Sequence, residues 1–357
     1  MHKLIVKIKF SREVNVEEIL YFASQNTAKG FISYFDKVFC EEKLKRLYII
    51  KGGPGTGKST AMKKAARHWE DQGFRVSRFL CSSDPESLDG VICEEKRVAI
   101  IDGTAPHCTD TRFPGCVSEI IDFGDCWDKG ILAQSTADII KASTQKQDAY
   151  SKAYGYLRAM GEALRIASSS CEKCIDFKKL EEAAKRFYRK EMKKGTGFEL
   201  KLAANQSYNH TGLFTIIPHC ERLCIVSDKF NSAHFFLEKL FELAKQNEQK
   251  VLAGYSAAFP DRLSMLLAEG FGFVSLEVKE PYSLNPYKII NMERFIKKDA
   301  LQENKAQIRR AKKAAKLLEE EAAREFKRAR YFHFCLEEIY KRAMDFEKLD
   351  KKIQSLS

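Results

Sequence analysis

Lys58 and Ser59 are the residues of this chain with the plainest chemical purpose. They belong to the run Gly52-Gly53-Pro54-Gly55-Thr56-Gly57-Lys58-Ser59-Thr60, which satisfies the phosphate-loop pattern G-x-x-x-x-G-K-[ST]. The glycines let the main chain approach an anion closely. Loop N–H groups and a helix N-terminus then surround phosphate with partial positive charge. Lys58 is expected to bridge the terminal phosphates as a point charge, and Ser59 to ligate Mg²⁺. Thr60 is expected near the α-phosphate. A plain glycine-rich turn that only starts a helix would have no use for Gly-Lys-Ser-Thr.

A second group stands some forty residues on. Val98-Ala99-Ile100-Ile101-Asp102 is an apolar run ending in a carboxylate. That is the Walker B form, in which a buried strand delivers Asp102 to the metal side of the phosphates, usually through water. The segment Gly103-Thr104-Ala105-Pro106-His107 and then Arg112 follow. A loop leaving the C-terminal end of a parallel strand is where ligands bind in open α/β sheets. His107 and Arg112 are candidates to orient water or neutralise developing charge; a loop held by hydrogen bonds is the plainer alternative. A base or water-positioning residue is required, and Asp84, Glu86 and His107 are the candidates.

These groups need a strand-turn-helix scaffold, and the neighbouring sequence supplies it. Leu47-Tyr48-Ile49-Ile50 reads as a buried parallel strand. Ala61, Met62, Ala65, Ala66 and Trp69 recur at helical spacing after the loop. Gly73 ends that helix, and Phe74–Cys81 reads as a second strand. A polar turn, residues 82–90, leads on to the Asp102 strand. Before the loop, the pattern suggests a strand-like start and a helix around Val16–Ala23. Phe31, Tyr34 and Phe35 suit either core packing or stacking on a base. Residues 132–194 turn helical, with a turn between Cys171 and Asp176. Lys194-Gly195-Thr196-Gly197 is a flexible break, which sets domains of 1–194 and 195–357.

Composition narrows the class. With 357 residues and 44% hydrophobic content, the chain can fold as two globular domains. Charges interrupt every apolar stretch, so no membrane span is expected, and MHKLIVKIKF is too charged for a secretory signal. A cytoplasmic protein is expected. The eleven cysteines are odd in number and irregular in spacing, as for reduced thiols. Cys171-x-x-Cys174 and Cys220-x-x-x-Cys224 have zinc-like spacing, but one site would need both pairs to meet across a long helical stretch. The net charge of +12 is concentrated in 294–330 and 185–194. Solvated faces of long helices explain it more simply than a nucleic-acid surface.

The second half repeats the first. Arg222-Leu-Cys-Ile-Val lines up with Arg46-Leu-Tyr-Ile-Ile, Pro281 with Pro106, and Met344–Leu349 with Ile175–Leu180. From Glu119 to Glu181 the self-alignment needs no gap. The copies differ where the chemistry would be. Ser227-Asp228-Lys229-Phe230-Asn231-Ser232-Ala233-His234-Phe235 stands opposite the phosphate loop and holds no glycine. This alignment sets His234 against Lys58, Phe235 against Ser59 and Glu277 against Asp102. Asp228 brings negative charge into the cradle. One nucleotide site per chain is the expectation, with an α/β fold of tandem P-loop NTPase-like domains, parallel sheets and a helical hairpin after each.

The pieces FASQNTAKGFISYFD, LYIIKGGPGTGKSTAMKK, CSSDPESLDGVI, AIIDGTAPH and PG..SEIIDFGDCWD together resemble a little-characterised family of bacterial tandem P-loop ATPases. The resemblance covers nearly all of 22–190 and continues more weakly through 200–357. It implies ATP, rather than GTP, with Mg²⁺. In the family pattern the second copy commonly carries its own glycine-rich loop and its own D-[GS]-T-A-P-H segment. This chain departs from both.

Three functions stand in order. The first is a Mg²⁺-dependent ATPase whose helices transmit the nucleotide state to a protein partner or to a second copy of the chain. The second is a phosphotransferase. Its basis is a second strand followed directly by the Walker B strand, with the acidic turn Asp84–Asp89 free for an acceptor hydroxyl. The third is a nucleotide-gated nucleic-acid binder, ranked last because no aromatics interleave the basic run.

Overall fold

The computed structural model describes residues 5–6, 19–277 and 284–354. Pro281 therefore lies outside the described residues. Strands β1 (Ile5–Val6), β2 (Ile19–Phe22), β3 (Ser24–Thr27) and β4 (Gly30–Ser33) precede the one-turn helix α1 (Phe35–Val38). The motif strand β5 (Arg46–Lys51) and helix α2 (Lys58–Asp71) flank the glycine-rich loop. Strands β6 (Val76–Leu80), β7 (Leu88–Cys93), β8 (Val98–Asp102) and β9 (Ser118–Asp122) follow. Helices α3 (Lys129–Gln134), α4 (Thr136–Glu172) and α5 (Phe177–Glu191) close the first half.

The second half runs through the same kinds of element. It holds β10 (Glu199–Leu202), β11 (Gln206–Asn209), β12 (Gly212–Ile216) and β13 (Arg222–Ser227). Helix α6 (Ala233–Gln246), then β14 (Lys250–Tyr255), β15 (Leu263–Ala268), β16 (Phe271–Leu276) and β17 (Lys288–Asn291) come next. Helices α7 (Lys298–Arg342) and α8 (Phe346–Gln354) end the described chain.

Two six-stranded sheets have matching orders, β2-β6-β7-β8-β5-β9 and β10-β14-β15-β16-β13-β17. The fold is α/β, with tandem P-loop NTPase-like sheets each followed by helices. Each sheet is mixed rather than wholly parallel, because β7 and β15 run antiparallel to both neighbours. Strand β7 also corrects one expectation. The second strand does not lead directly to the Asp102 strand, so the order that favoured a phosphotransferase is absent. A second correction falls on the N-terminal stretch. Ile19–Phe22 is not helix but an edge strand parallel to β6. Its Leu20 and Phe22 turn to one core and Ile19 and Tyr21 to another, a period of two that a helix could not serve.

The same alternation builds the centre. Leu47 and Ile49 of β5, with Ala99 and Ile101 of β8, meet Ile225, Met265, Val274 and Leu276 of the other sheet. Ile50 and Ile100 point the opposite way, onto Met62, Ala66 and Trp69 of α2. The two sheets are thus back to back, each with helices on its outer face.

The helical hairpins are exchanged. Leu349 and Ile353 of α8 complete the outer core of the first sheet. Leu180, Ala184 and Phe187 of α5 complete that of the second, against Phe236, Leu237 and Leu240. Matching main-chain bonds tie the exchange down. Asp128 N donates to Ala343 O at 2.7 Å and Asp345 N to Cys126 O at 2.8 Å. On the other side, Asp176 N donates to Phe295 O at 2.7 Å and Lys297 N to Cys174 O at 2.8 Å. Asp176 and Asp345 also cap the N-termini of α5 and α8. Between the hairpins α4 and α7 pack antiparallel, with Ile308 beside Ala167 and Cys171 at one end and Phe326 against Tyr150 and Tyr154 towards the other.

Candidate nucleotide site

The loop between β5 and α2 is held open by backbone geometry that its glycines allow. Gly55 has φ +70°, and a Cβ there would lie 2.9 Å from Glu337 O of α7. A Cβ on Gly53 would lie 2.8 Å from the ring of Tyr340. The outer wall of the first-half loop is therefore supplied by the second half. Thr56, buried, closes the turn by donating from Oγ1 to Gly53 O at 2.8 Å.

Lys58 opens α2 and folds back over the loop. Its Nζ donates to Gly52 O at 3.0 Å and Gly53 O at 2.8 Å, and sits 3.6 Å from Asp102 Oδ2. Parallel pairing of Ile50 with Asp102 brings that carboxylate to the loop. Asp102 Oδ1 accepts from Thr104 N at 2.9 Å and Thr104 Oγ1 at 2.5 Å. Ser59 Oγ accepts the Leu88 N–H at 3.0 Å. The structure thus brings Lys58, Ser59 and Asp102 to one place, the C-terminal edge of β5 and β8.

The loop after Asp102 is pinned by Lys51, whose Nζ donates to Gly103 O and Thr109 O at 2.7 Å each. His107 is buried and lies 3.1 Å from Asp89 Oδ2 through Nε2. Its ring stacks on Phe35 with centroids 4.4 Å apart, so Phe35 is packing for His107. Burial alone would push the imidazole down; the charge and contact of Asp89, helped by Asp102, outweigh it and hold His107 above its ordinary value. Arg112 does not join the site. Its guanidinium is exposed and pairs with Glu42 at 2.5 Å. Asp84 is 3.5 Å from Arg330 Nη2 and bonded to Ser87, rather than free for an acceptor hydroxyl, while Glu86 is exposed.

Several neighbours were misplaced or missed in the sequence. Asp89 read as the end of the acidic turn Asp84–Asp89, but it sits inside β7. Arg330, Glu337 and Tyr340 come from a helix some 270 residues further along the chain. Lys146 of α4 is pushed below its ordinary value by burial and by the charge of Lys58.

In the second half the strand register revises the alignment. Residues 228–232 fill the gap between β13 and α6 where 52–57 fill the first, one residue fewer. Helices α2 and α6 have equal lengths, so Ala233 stands opposite Lys58 and His234 opposite Ser59, not His234 and Phe235. Val226 pairs with Ser275 as Ile50 pairs with Asp102. Ser275, not Glu277, therefore takes the Asp102 position, because the turn before β16 is two residues shorter. Asp228 is buried within this second-half loop. Its Oδ1 accepts the Ser232 N–H at 2.7 Å, and its Oδ2 lies 3.4 Å from Ser275 Oγ. Burial, with Glu277, holds this carboxyl above its usual range against the N–H groups of Ser232, Ala233 and Phe230.

The fold and the first loop are those of a P-loop NTPase-type protein in general. A family model described as an AAA domain matches residues 40–84, which span the motif strand, the loop, α2 and β6. Over that segment the chain is similar to P-loop ATPases. No curated protein and no solved structure matches the chain. Among the described residues no helix is long and apolar enough to cross a membrane.

Proposed function

We propose that this chain is a cytoplasmic, Mg²⁺-dependent ATPase with one nucleotide site, formed by a tandem duplication whose second copy lost its own. The observation that carries the reading is Lys58: a largely buried ammonium seated on two loop carbonyls and 3.6 Å from Asp102. Carbonyls and a carboxylate are partners that a polyphosphate and its metal can replace. Gly52, Gly53, Pro54, Gly55, Thr56, Gly57 and Thr60 would contribute backbone and hydroxyl donors to the phosphates. Ser59 and Asp102 are the oxygen donors that suit Mg²⁺, and they would hold it beside the phosphates. Bound there, the metal would neutralise charge on the β- and γ-oxygens.

The second half supports this reading in another way. Its loop N–H groups face its own Asp228, and Ala233 offers no ammonium. Its remaining role is mechanical, because α7 and α8 wall the first loop. A change of loop shape on nucleotide binding would press on Glu337 and Tyr340 and so on the α4–α7 pair, the surface we assign to a protein partner or a second copy. The test is phosphate release from MgATP without added acceptor, by the parent and by Lys58→Ala. Turnover in the parent and none in the variant supports an ATPase; release only on addition of an acceptor would make it a phosphotransferase.

A further inference from the structure

Asp89 and His107 are 4% and 7% exposed, yet both are titratable and neither belongs to the phosphate loop. Nε2 of His107 lies 3.1 Å from Asp89 Oδ2. The ring is fixed by Phe35 at 4.4 Å and flanked by Phe31 at 5.2 Å. Nδ1 is buried and has no hydrogen-bond partner among the described residues. A buried polar atom left unpaired is destabilising, so this one calls for a reason. Asp89 Oδ2 likewise has no hydrogen-bond partner among the described residues, so the two meet through charge at 3.1 Å. A neutral ring with its one proton on Nε2, the nitrogen facing Asp89, leaves Nδ1 as a lone-pair acceptor.

The position of the pair supplies the reason. Asp89 follows Leu88, whose N–H donates to Ser59 Oγ at 3.0 Å. His107 N donates to Thr104 O at 2.8 Å, and Thr104 in turn holds Asp102. The pair is thus tied by one link to each of the two residues assigned to the metal. The second half makes an independent comparison. Ladder register sets Ser264 opposite Asp89, and Ser264 Oγ bonds Asn205 Oδ1 at 2.9 Å. The copy without a phosphate loop also lacks this carboxylate.

We propose that His107 is the general base of the hydrolytic step and that Asp89 is its positioning residue. This rests on the ATPase reading of Lys58, Ser59 and Asp102. A water oxygen bonds to the γ-phosphorus and its proton passes to His107 Nδ1. The bond from that phosphorus to the β–γ bridging oxygen breaks, and its electron pair stays on ADP. The proton then leaves with phosphate or to solvent. Asp89 holds the ring in the tautomer and angle that this requires.

The test measures MgATP affinity by calorimetry and kcat and KM by phosphate release, for the parent, His107→Gln, His107→Ala and Asp89→Asn. The expected result is a kcat loss of about 10²- to 10⁴-fold in the His107 variants, with ATP affinity within roughly threefold of the parent. Asp89→Asn should lower kcat by less and leave KM in place. Added imidazole should restore part of the kcat of His107→Ala, which a purely structural lock would not allow. Folded His107→Gln with kcat within roughly threefold of the parent would overturn the proposal. If His107→Gln does not melt cooperatively, the nearly isosteric Asp89→Asn decides by the same split, unchanged kcat overturning the proposal. A parent that binds no ATP would instead sink the reading of the nucleotide site. A parent that binds ATP but releases no phosphate would remove hydrolysis and this base together.

Discussion

Leu349 Cδ2 of α8 would touch a Cβ placed on Gly57 at 3.0 Å, although the two residues lie in opposite halves of the chain. The phosphate loop and the last helix are parts of one packing unit. Leu180 is the counterpart of Leu349 on α5 and is buried against the second sheet. Leu349→Ala and Leu180→Ala should each lower unfolding stability by about 2–5 kcal/mol in urea titrations, the usual cost of such a cavity. Only Leu349→Ala should also weaken ATP binding. Equal ATP affinity in both variants would separate the loop from its wall.

Asn26 binds the two halves at a fully buried point. Its Nδ2 donates to Tyr208 O at 2.9 Å, its N to Ser207 Oγ at 3.0 Å, and its Oδ1 accepts from Tyr154 Oη at 2.8 Å. Asn26→Ala keeps the main-chain bond to Ser207 but would leave Tyr208 O and Tyr154 Oη without their partner, each worth about 1–3 kcal/mol when buried. A loss on the order of 3 kcal/mol is expected, as one cooperative transition at lower urea. A variant as stable as the parent would show that water replaces the amide without cost.

His234 gives the second half a defined response to acid. Burial first, then the charge of Arg262, pushes its imidazole down to about 3. The folded state therefore holds this ring neutral, while the unfolded state protonates near 6.5. Between those values the unfolded chain binds more protons, so stability falls as pH drops below about 6.5, by at most about 1.4 kcal/mol per pH unit. Above that pH the contribution is constant. His234→Phe, next to Phe235, should flatten the acid limb of a melting-temperature profile between pH 7.5 and 5 relative to the parent. Identical slopes would place the acid sensitivity elsewhere.

The apolar run Leu47-Tyr48-Ile49-Ile50 was legible because the glycine-rich loop directly after it marks a strand end, and Ala61, Met62, Ala66 and Trp69 because their spacing reports a helical period. So was Asp102, since a buried strand carries it to the loop edge whatever surrounds it. Strand β7 was hidden because Leu88-Asp89-Gly90 carries turn residues, and its pairing with β6 and β8 outweighs that preference. Ile19–Phe22 failed for a related reason. A four-residue apolar run has no helical or strand period of its own, and the β6 edge decides it. The roles of Tyr340, Glu337 and Arg330 were not legible at all, because they depend on a hairpin exchanged between halves. The revision from Glu277 to Ser275 has the same origin: register is fixed by ladder pairing, and a turn two residues shorter leaves no mark in an ungapped alignment.

In the proposed function one lysine-bearing loop, walled by the other half, holds a single nucleotide per chain. Calorimetric titration with MgATP of the parent and of Lys58→Ala tests it most directly. The parent should titrate with one site per chain, and loss of the charge-assisted contact of Lys58 should weaken binding roughly 10- to 100-fold. Two sites per chain, or an affinity unchanged by Lys58→Ala, would contradict the account.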